Sequence, residues 1–274
     1  MFFYKLKIFI LRIIGYDKPL RVALLKIFSL KYKQFRPHYE TILLESCINA
    51  KKLGYEEVTV LELGVSGGNG IIALEKYKKK IEKYTNIKIK IIGFDSGVGM
   101  PEPKDVYDLP FYWKKGQMVV NKNKLELLSK SKIYYGDIKD TIDDFIKTNP
   151  KNIASIFVDL DYHSSTKSFL TQLTKLEKNL CPRVYFLFDD TFNSNHFINE
   201  YNGEILSINE FNNENSNLKI GISIDNVMDF KFPLAKNHLY LLHNFNHPDY
   251  NKYIGIDDSE SLKIGDTKIR SKIF

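Results

Sequence analysis

The chain has 274 residues and a mass of 32.0 kDa, which fits one large α/β domain or two small ones. Hydrophobic residues make up 43% of it, enough for a packed core. Two cysteines, Cys47 and Cys181, exclude a disulfide framework and a thiolate metal site, and they favour a reducing, cytoplasmic setting. The net charge is +7, so its distribution decides whether nucleic acid or a membrane is an expected partner.

The N-terminal segment carries this positive charge. Residues 1–36 hold nine Lys and Arg residues and one acidic residue, a net charge of +8, whereas residues 37–274 sum to −1. We therefore expect no nucleic-acid partner for the main domain. Lys5, Lys7 and Arg12 interrupt the apolar run near the start of the chain, which argues against a transmembrane helix or a signal peptide.

Residues 1–36 are predicted to form a basic amphipathic helical arm, followed by the main domain over residues 37–274. A basic amphipathic arm has three alternative uses. It can contact the inner face of the membrane peripherally, dock on a partner subunit of a homo-oligomer, or pack on its own domain. The sequence leaves these alternatives open.

From residue 57 onward, apolar runs rich in β-branched residues alternate with stretches of helical periodicity. This alternation is typical of a mostly parallel sheet with helices on both faces. The runs predict five buried strands and a closing pair at one sheet edge: residues 58–63, 89–94, 132–136, 155–160 and 183–188, then 218–224 and 238–242. We therefore expect an α/β, Rossmann-like fold of about seven strands, preceded by the helical extension.

The segments between the strands predict helices over residues 71–80, 138–147 and 164–178. The last of these has an apolar stripe, and Ser164, Ser165 or Thr166 can supply its N-cap. The segment 97–117 is rich in proline and irregular. A long irregular segment inside a compact domain is typical of a lid or a binding loop.

A glycine-rich turn follows the first predicted strand. The sequence GVSGGNG places glycines at positions 64, 67, 68 and 70, directly before a predicted helix. Glycines let the backbone turn sharply and approach a ligand, and the helix N-terminus presents free N–H groups. Gly68, Gly70 and Ala73 also fit the dinucleotide fingerprint G-x-G-x-x-G/A, and a plain tight turn is a further alternative. The glycines alone leave the cofactor open.

Carboxylates at the ends of the first three predicted strands narrow this choice. Glu62 would repel a pyrophosphate but accept a hydrogen bond from an amino group, which favours S-adenosylmethionine, a cofactor with a cationic amino acid end and no phosphate. Asp95, followed by Ser96, ends the second strand, where an acceptor holds ribose hydroxyls. Asp137 follows the third strand on the adenine side, or is an ordinary helix N-cap. The candidate cofactor-binding residues are Glu62, Gly64, Gly68, Asp95, Ser96 and Asp137.

Four carboxylates follow the fourth and fifth predicted strands. Asp159 and Asp161 stand in VDLDYHSST, and Asp189 and Asp190 stand in LFDDTF. Parallel strands end at one edge of a sheet, so these acids are expected to converge. Because clustered carboxylates repel one another, a hard divalent cation with oxygen ligands explains the cluster best, although helix capping is an alternative for either pair alone. The role of the adjacent His163 stays open.

These segments resemble the macrocin O-methyltransferase-like family, which includes the tylosin, mycinamicin and novobiocin sugar methyltransferases. The matching segments, in the family's order over approximately residues 36–211, are GVSGGNG after Glu62, GFDSGVGMPEP, YYGDIKDT, VDLDYHSST, LFDDTF and NGEILSINEF. The resemblance implies a class I methyltransferase fold that uses S-adenosylmethionine and Mg²⁺ to methylate sugar hydroxyls. By this resemblance, Asp159, Asp189 and Asp190 are the expected metal ligands and Asp161 is the expected general base.

The expected function is therefore Mg²⁺-dependent O-methylation of a sugar or a sugar-containing small molecule, such as a glycan or a nucleotide sugar. The chain departs from the family at Ser164, where an acid is common, and its lid resembles uncharacterised bacterial members, so the acceptor's identity does not transfer. One alternative is an NAD(P)-dependent oxidoreductase, which leaves Asp189 and Asp190 without a role. Another is a non-catalytic, membrane-associated binding module that uses the basic arm.

Overall fold

A seven-stranded sheet forms the centre of the computed structural model, which describes residues 36–191, 197–223 and 239–255. The strands are β1 (Glu57–Leu63), β2 (Lys88–Asp95), β3 (Lys132–Tyr135), β4 (Ile153–Val158), β5 (Leu180–Phe188), β6 (Leu218–Ile222) and β7 (Leu239–Asn244). Apart from Arg36, the predicted arm lies outside the described residues, so the boundary between arm and domain stays a prediction.

The strand order is β3-β2-β1-β4-β5-β7-β6. Strands β1 to β5 are parallel, and β7 lies antiparallel between β5 and β6. The order reverses between β1 and β4, so a crevice opens at the carboxyl ends of these two strands, where open α/β sheets bind ligands. The predicted α/β sheet with a closing pair at one edge is confirmed.

Helices cover both faces of the sheet, because the central strands are apolar on both sides. Every residue of β4 is buried. The helices are α1 (Pro37–Leu53), α2 (Asn69–Thr85), α3 (Lys122–Leu128), α4 (Ile138–Ile146), α5 (His163–Leu173) and α6 (Gly203–Glu214), with 3₁₀ turns at Val106–Asp108, Thr174–Asn179 and Asp189–Thr191. None of the helices in the described part of the chain is both long and apolar enough to cross a membrane.

Two local predictions around the fourth strand are wrong. The strand ends at Val158, two residues earlier than predicted, and Asp161 lies in the connection to α5 with a left-handed φ of 60°. The predicted N-cap of α5 is also wrong. The cap position is Tyr162, whose side chain makes no capping bond, and the backbone N–H of Ser164 donates instead to Asp108 of the lid, 2.7 Å away.

Candidate active site

The glycine turn brings β1 and α2 into close contact with the crevice. Gly64 has a φ of 82°, and a Cβ there would lie 1.8 Å from the carbonyl oxygen of Asp159 on the neighbouring β4 turn. A Cβ on Gly70 would lie 1.7 Å from Oε1 of Glu62. Glycine is therefore required at both positions, and the first turn of α2 packs directly on the Glu62 carboxylate.

Glu62 is buried, with 2% of its surface exposed, and its two carboxylate oxygens differ in their surroundings. The Tyr39 hydroxyl donates to Oε1 over 3.5 Å, whereas Oε2 has no hydrogen-bond partner among the described residues. Burial raises the pKa of Glu62 to about 8, although the positive charge of Arg36 opposes this shift. A buried, unsatisfied carboxylate oxygen fits the amino group of a ligand.

Arg36 and Tyr39 complete this side of the crevice. The guanidinium Nη1 donates to the Tyr39 hydroxyl over 2.6 Å, and the guanidinium lies 4.9 Å from the centre of the Tyr39 ring. Its charge interacts with the carboxylates of Glu62, Asp159 and Asp189. Sequence reasoning counted Arg36 with the basic arm and missed it as a site residue, because nothing in the local pattern connects it with Glu62.

Asp95 is fixed by backbone groups at the end of β2. The N–H of Ser66 donates to Oδ2 over 2.8 Å, and the N–H of Gly97 donates to Oδ1 over 2.7 Å. Each oxygen keeps a lone pair for a ligand hydroxyl, so the arrangement is compatible with the predicted ribose contact. The hydroxyl of Ser96 donates to the carbonyl of Gly99, so this side chain holds the start of the lid.

Asp137 has the geometry of an N-cap. Its carboxylate accepts from the backbone N–H of Lys139 over 2.9 Å at the start of α4, and the residue is exposed. The capping alternative therefore accounts for its contacts in the described structure. A contact with the adenine stays a prediction.

Three of the four predicted acids meet at the ends of β4 and β5. Asp159, Asp161 and Asp190 each place one carboxylate oxygen within 4.8 Å of the others. Asp189 is not a member of this trio, but its charge acts on Asp159, Asp190 and Arg36. The predicted convergence is present for Asp159, Asp161 and Asp190, whereas Asp189 acts on the group through its charge.

Burial and crowding disfavour the charged forms of the three carboxylates in the acidic trio. Burial first, and then the charges of neighbouring carboxylates, raise the pKa values of Asp159 and Asp190 well above their usual range. Burial, followed by the charge of Asp159, raises the pKa of Asp161 to about 7. Oδ2 of Asp190 is buried without a hydrogen-bond partner among the described residues. A donor set of crowded carboxylate oxygens fits a hard divalent cation such as Mg²⁺.

Glu204 on α6 bonds to both segments that carry the acidic trio, the one after β4 and the one after β5. Its side chain is fully buried, Oε2 accepts from the N–H of Asp190 over 3.0 Å, and Oε1 accepts from the N–H of Leu160 over 3.4 Å. Burial and then the charges of Asp190 and Asp159 raise its pKa well above the usual range. Sequence reasoning gave Glu204 no role, and its place in NGEILSINEF was the one available signal.

The lid segment is attached beside the acidic trio. Asp108 is fully buried, and its carboxylate accepts from the Lys104 N–H and from both the N–H and the hydroxyl of Ser164 at 2.7 to 2.8 Å. His163 lies between the lid and α6, because Nε2 contacts Glu210 Oε2 at 2.8 Å and its ring meets the edge of Tyr107. His163 is therefore outside the acidic trio.

Comparisons with known proteins identify the fold. No family model and no curated protein matches the chain. A crystal structure of CalS11, a calicheamicin methyltransferase, matches with a TM-score of 0.55 at 18% identity, over 85% of this chain and 96% of that one. The chain has a class I methyltransferase fold.

Two further solved structures are similar at lower scores. An apo structure of CalS11, described as a TDP-rhamnose 3'-O-methyltransferase, matches with a TM-score of 0.45 at 17% identity, over 85% of this chain and 98% of that one. The O-methyltransferase NovP matches with a TM-score of 0.41 at 19% identity, over 56% of this chain and 64% of that one.

In this methyltransferase fold, the crevice has two chemically distinct sides. The side formed by β1 and β2 presents Glu62, Asp95 and the glycine turn, and it fits a ligand with an amino group and neighbouring hydroxyls. The side formed by β4 and β5 presents the acidic trio, which fits a cation. Glu62 interacts electrostatically with Asp189 and Asp159, so the two sides adjoin.

Proposed function

We propose that the chain is a Mg²⁺-dependent S-adenosylmethionine O-methyltransferase that acts on a hydroxyl of a sugar or a sugar-containing small molecule. The observation that carries this proposal is the pairing of an unsatisfied, buried Glu62 oxygen with a partly buried acidic trio at one sheet edge. The first feature fits an amino acid end of a cofactor. The second fits a cation that positions an oxygen nucleophile.

The residues around β1 and β2 would hold the cofactor. S-adenosylmethionine supplies an electrophilic methyl group on its sulfonium. Glu62 would accept hydrogen bonds from the ammonium, and Asp95 would accept from the ribose hydroxyls with the lone pairs that Ser66 and Gly97 leave open. Gly64 and Gly70 keep the backbone close to the crevice, because a side chain at either position would collide with Asp159 or Glu62.

The residues around β4 and β5 would hold the cation and receive the proton. Asp159 and Asp190 of the acidic trio are proposed Mg²⁺ ligands, and the family resemblance adds Asp189 as the third. Mg²⁺ lowers the pKa of a hydroxyl that it binds. Asp161 would accept the acceptor's proton. Its carboxylate lies within 4.8 Å of the carboxylates of Asp159 and Asp190, two of the proposed ligands, which places a base beside the cation site. Glu204 would hold the segments after β4 and β5 in fixed positions relative to each other.

A sugar is the proposed acceptor class. Vicinal sugar hydroxyls can bind one cation through two oxygens, which would place one of them beside the methyl group. CalS11, which shares the fold, is described as a calicheamicin methyltransferase and as a TDP-rhamnose 3'-O-methyltransferase. The family resemblance of the acidic segments points to the same acceptor class.

The test is a methyl-transfer screen over nucleotide sugars and surface glycans, with labelled S-adenosylmethionine and Mg²⁺. We expect transfer to at least one sugar hydroxyl, loss of transfer in EDTA and recovery when Mg²⁺ is added. Full activity in the chelator would refute the metal role. Calorimetry with S-adenosylhomocysteine and NAD separates the proposal from the oxidoreductase alternative, and tight binding of NAD alone would overturn it.

A further inference from the structure

Arg36 is a cation that lies beside Glu62 of the proposed cofactor site. Its guanidinium and the Glu62 carboxylate lie on either side of one hydroxyl, because Tyr39 accepts from Arg36 and donates to Glu62. Tyr39 is fully buried and stacks on Phe157 of β4 with ring centres 4.3 Å apart, so its position is fixed by the core. The core thereby sets the spacing between a positive and a negative group.

Arg36 has donor capacity beyond its bond to Tyr39. A guanidinium carries five N–H donors, and its charge interacts with Asp159, Glu62 and Asp189. Among the residues that the structure describes, it forms an ion pair with none of these carboxylates. A planar group with several N–H donors is suited to binding a carboxylate through two parallel hydrogen bonds.

The two charges match the two charges of an amino acid end. A zwitterionic α-amino acid places an ammonium and a carboxylate on one carbon atom, so a site for it needs an acceptor and a cation close together. Glu62 supplies the acceptor with its unsatisfied Oε2, and Arg36 supplies the cation across the Tyr39 hydroxyl. An arginine that served only to neutralise the acidic trio would not need to lie beside Glu62.

We propose that Arg36 binds the carboxylate of the cofactor's amino acid end while Glu62 binds its ammonium. This inference rests on the proposed function, because it assumes S-adenosylmethionine as the cofactor. It assigns a binding role to a residue at the junction of the basic arm and the main domain.

The test compares two ligands that differ only in the carboxylate: S-adenosylhomocysteine and its decarboxylated analogue. The Arg36→Met variant should weaken the binding of S-adenosylhomocysteine by roughly 10- to 100-fold, the range for a hydrogen bond to a charged group. The affinity for the decarboxylated analogue should change little. Arg36→Lys should lose less than Arg36→Met, because it keeps the charge but not the planar pair of donors.

Arg183→Met is the matched control, because Arg183 also stacks on a tyrosine, Tyr250, at 5.2 Å, and it lies on β5 away from the proposed cofactor site. Its affinities should equal those of the wild type. Equal losses for both ligands in Arg36→Met would overturn the inference and leave the proposed function standing. An unchanged affinity for S-adenosylhomocysteine would do the same. If the wild type binds neither ligand, the proposed function fails together with the inference.

Discussion

At the ends of β1 and β2, hydrogen bonds fix the carboxylates, whereas at the ends of β4 and β5 the carboxylates face one another. Asp95 accepts from two backbone N–H groups, and Glu62 has one satisfied oxygen. By contrast, Asp159, Asp161 and Asp190 crowd within 4.8 Å, and their pKa values are all raised. On the first side the protein itself holds Asp95, whereas Glu62 keeps one unsatisfied oxygen for a ligand. The second side needs a cation to become fully charged.

Among the variants that compare the two sides, Asp161→Asn is expected to have the largest effect, because Asp161 belongs to the acidic trio and is the proposed general base. Asp161→Asn should lower turnover by about 10²-fold or more, the usual scale for a general base, with the affinity for S-adenosylhomocysteine nearly intact. Asparagine tolerates the φ of 60° at this position, so the backbone should be preserved. The measurements are initial rates with saturating cofactor, and calorimetry.

Asp144→Asn is the control, since Asp144 is an exposed acid whose partner is Lys147 on the surface of the protein. It should have wild-type turnover. Unchanged turnover in Asp161→Asn would remove Asp161 from the mechanism. Recovery of its turnover at high Mg²⁺ would instead make Asp161 a metal ligand, in agreement with its place in the trio.

Gly70→Ala tests the side formed by β1 and β2. The added Cβ would lie 1.7 Å from Oε1 of Glu62, so the carboxylate must move away from the Tyr39 hydroxyl that donates to it. We expect the affinity for S-adenosylhomocysteine to fall roughly tenfold, because a hydrogen bond to a charged group is lost. Gly221→Ala is the control, because a Cβ there meets no atom within 4 Å. Equal affinities in both variants, measured by calorimetry, would contradict a cofactor role for Glu62.

Asp108 attaches the lid, residues 97–117, to Ser164 at the start of α5, close to the acidic trio. Asp108→Asn replaces a buried acceptor of three hydrogen bonds with an amide, which leaves donors from Ser164 and Lys104 facing an NH₂ group. We expect kcat/KM to fall roughly fivefold and trypsin to cleave faster at the lid residues Lys114 and Lys115. In the control Asp105→Asn, the exposed carboxylate near Asp108 accepts one hydrogen bond, from the Tyr107 N–H, and an asparagine oxygen can accept the same bond. Both readouts should therefore change less.

The sequence predicts the parallel core well because strand burial is a local property. Apolar runs located all seven strands to within a few residues, and the ends of β4 and β5 brought Asp159, Asp161 and Asp190 together as expected. Local rules fail where a contact comes from a distant segment. The α5 N-terminus is capped from the lid, 56 residues earlier in the chain, so the local serines gave the wrong cap.

Glu204 and Arg36 were missed for the same reason. Glu204 bonds to the N–H of Leu160, 44 residues away, and no sequence period reports such a contact. Arg36 is one of nine basic residues spread over residues 1–36, and the composition of that segment does not distinguish it from the others. Its proximity to Glu62 depends on the packing of Tyr39 in the core. The topology explains which strand ends meet, but not which further side chains fill the space between them.

The raised pKa values of Glu62 and Asp161 predict how the stability of the metal-free protein depends on pH. Their ordinary values are 4.5 and 3.8, and their values in the folded chain are about 8 and about 7. At pH values between the ordinary pKa and the raised pKa of each group, the folded chain binds more protons than the unfolded chain. The free energy of unfolding should therefore fall as pH rises. In EDTA, the melting temperature should therefore decrease from pH 5 to pH 8, and Mg²⁺ should restore most stability near pH 8.

Glu62→Gln should make this decrease shallower by a few degrees, because one ionisation is removed. Glu75→Gln is the control with the opposite sign. Burial opposes the shift, but hydrogen bonds from Ser131, Ser129 and the Lys130 N–H lower the pKa of Glu75, so the stability it contributes is present above its ordinary value of 4.5. Glu75→Gln should lower the whole curve without changing its slope between pH 5 and 8. Parallel curves for the wild type and Glu62→Gln would mean that Glu62 is already ionised in the folded chain, so that this carboxylate needs no ligand to hold its charge.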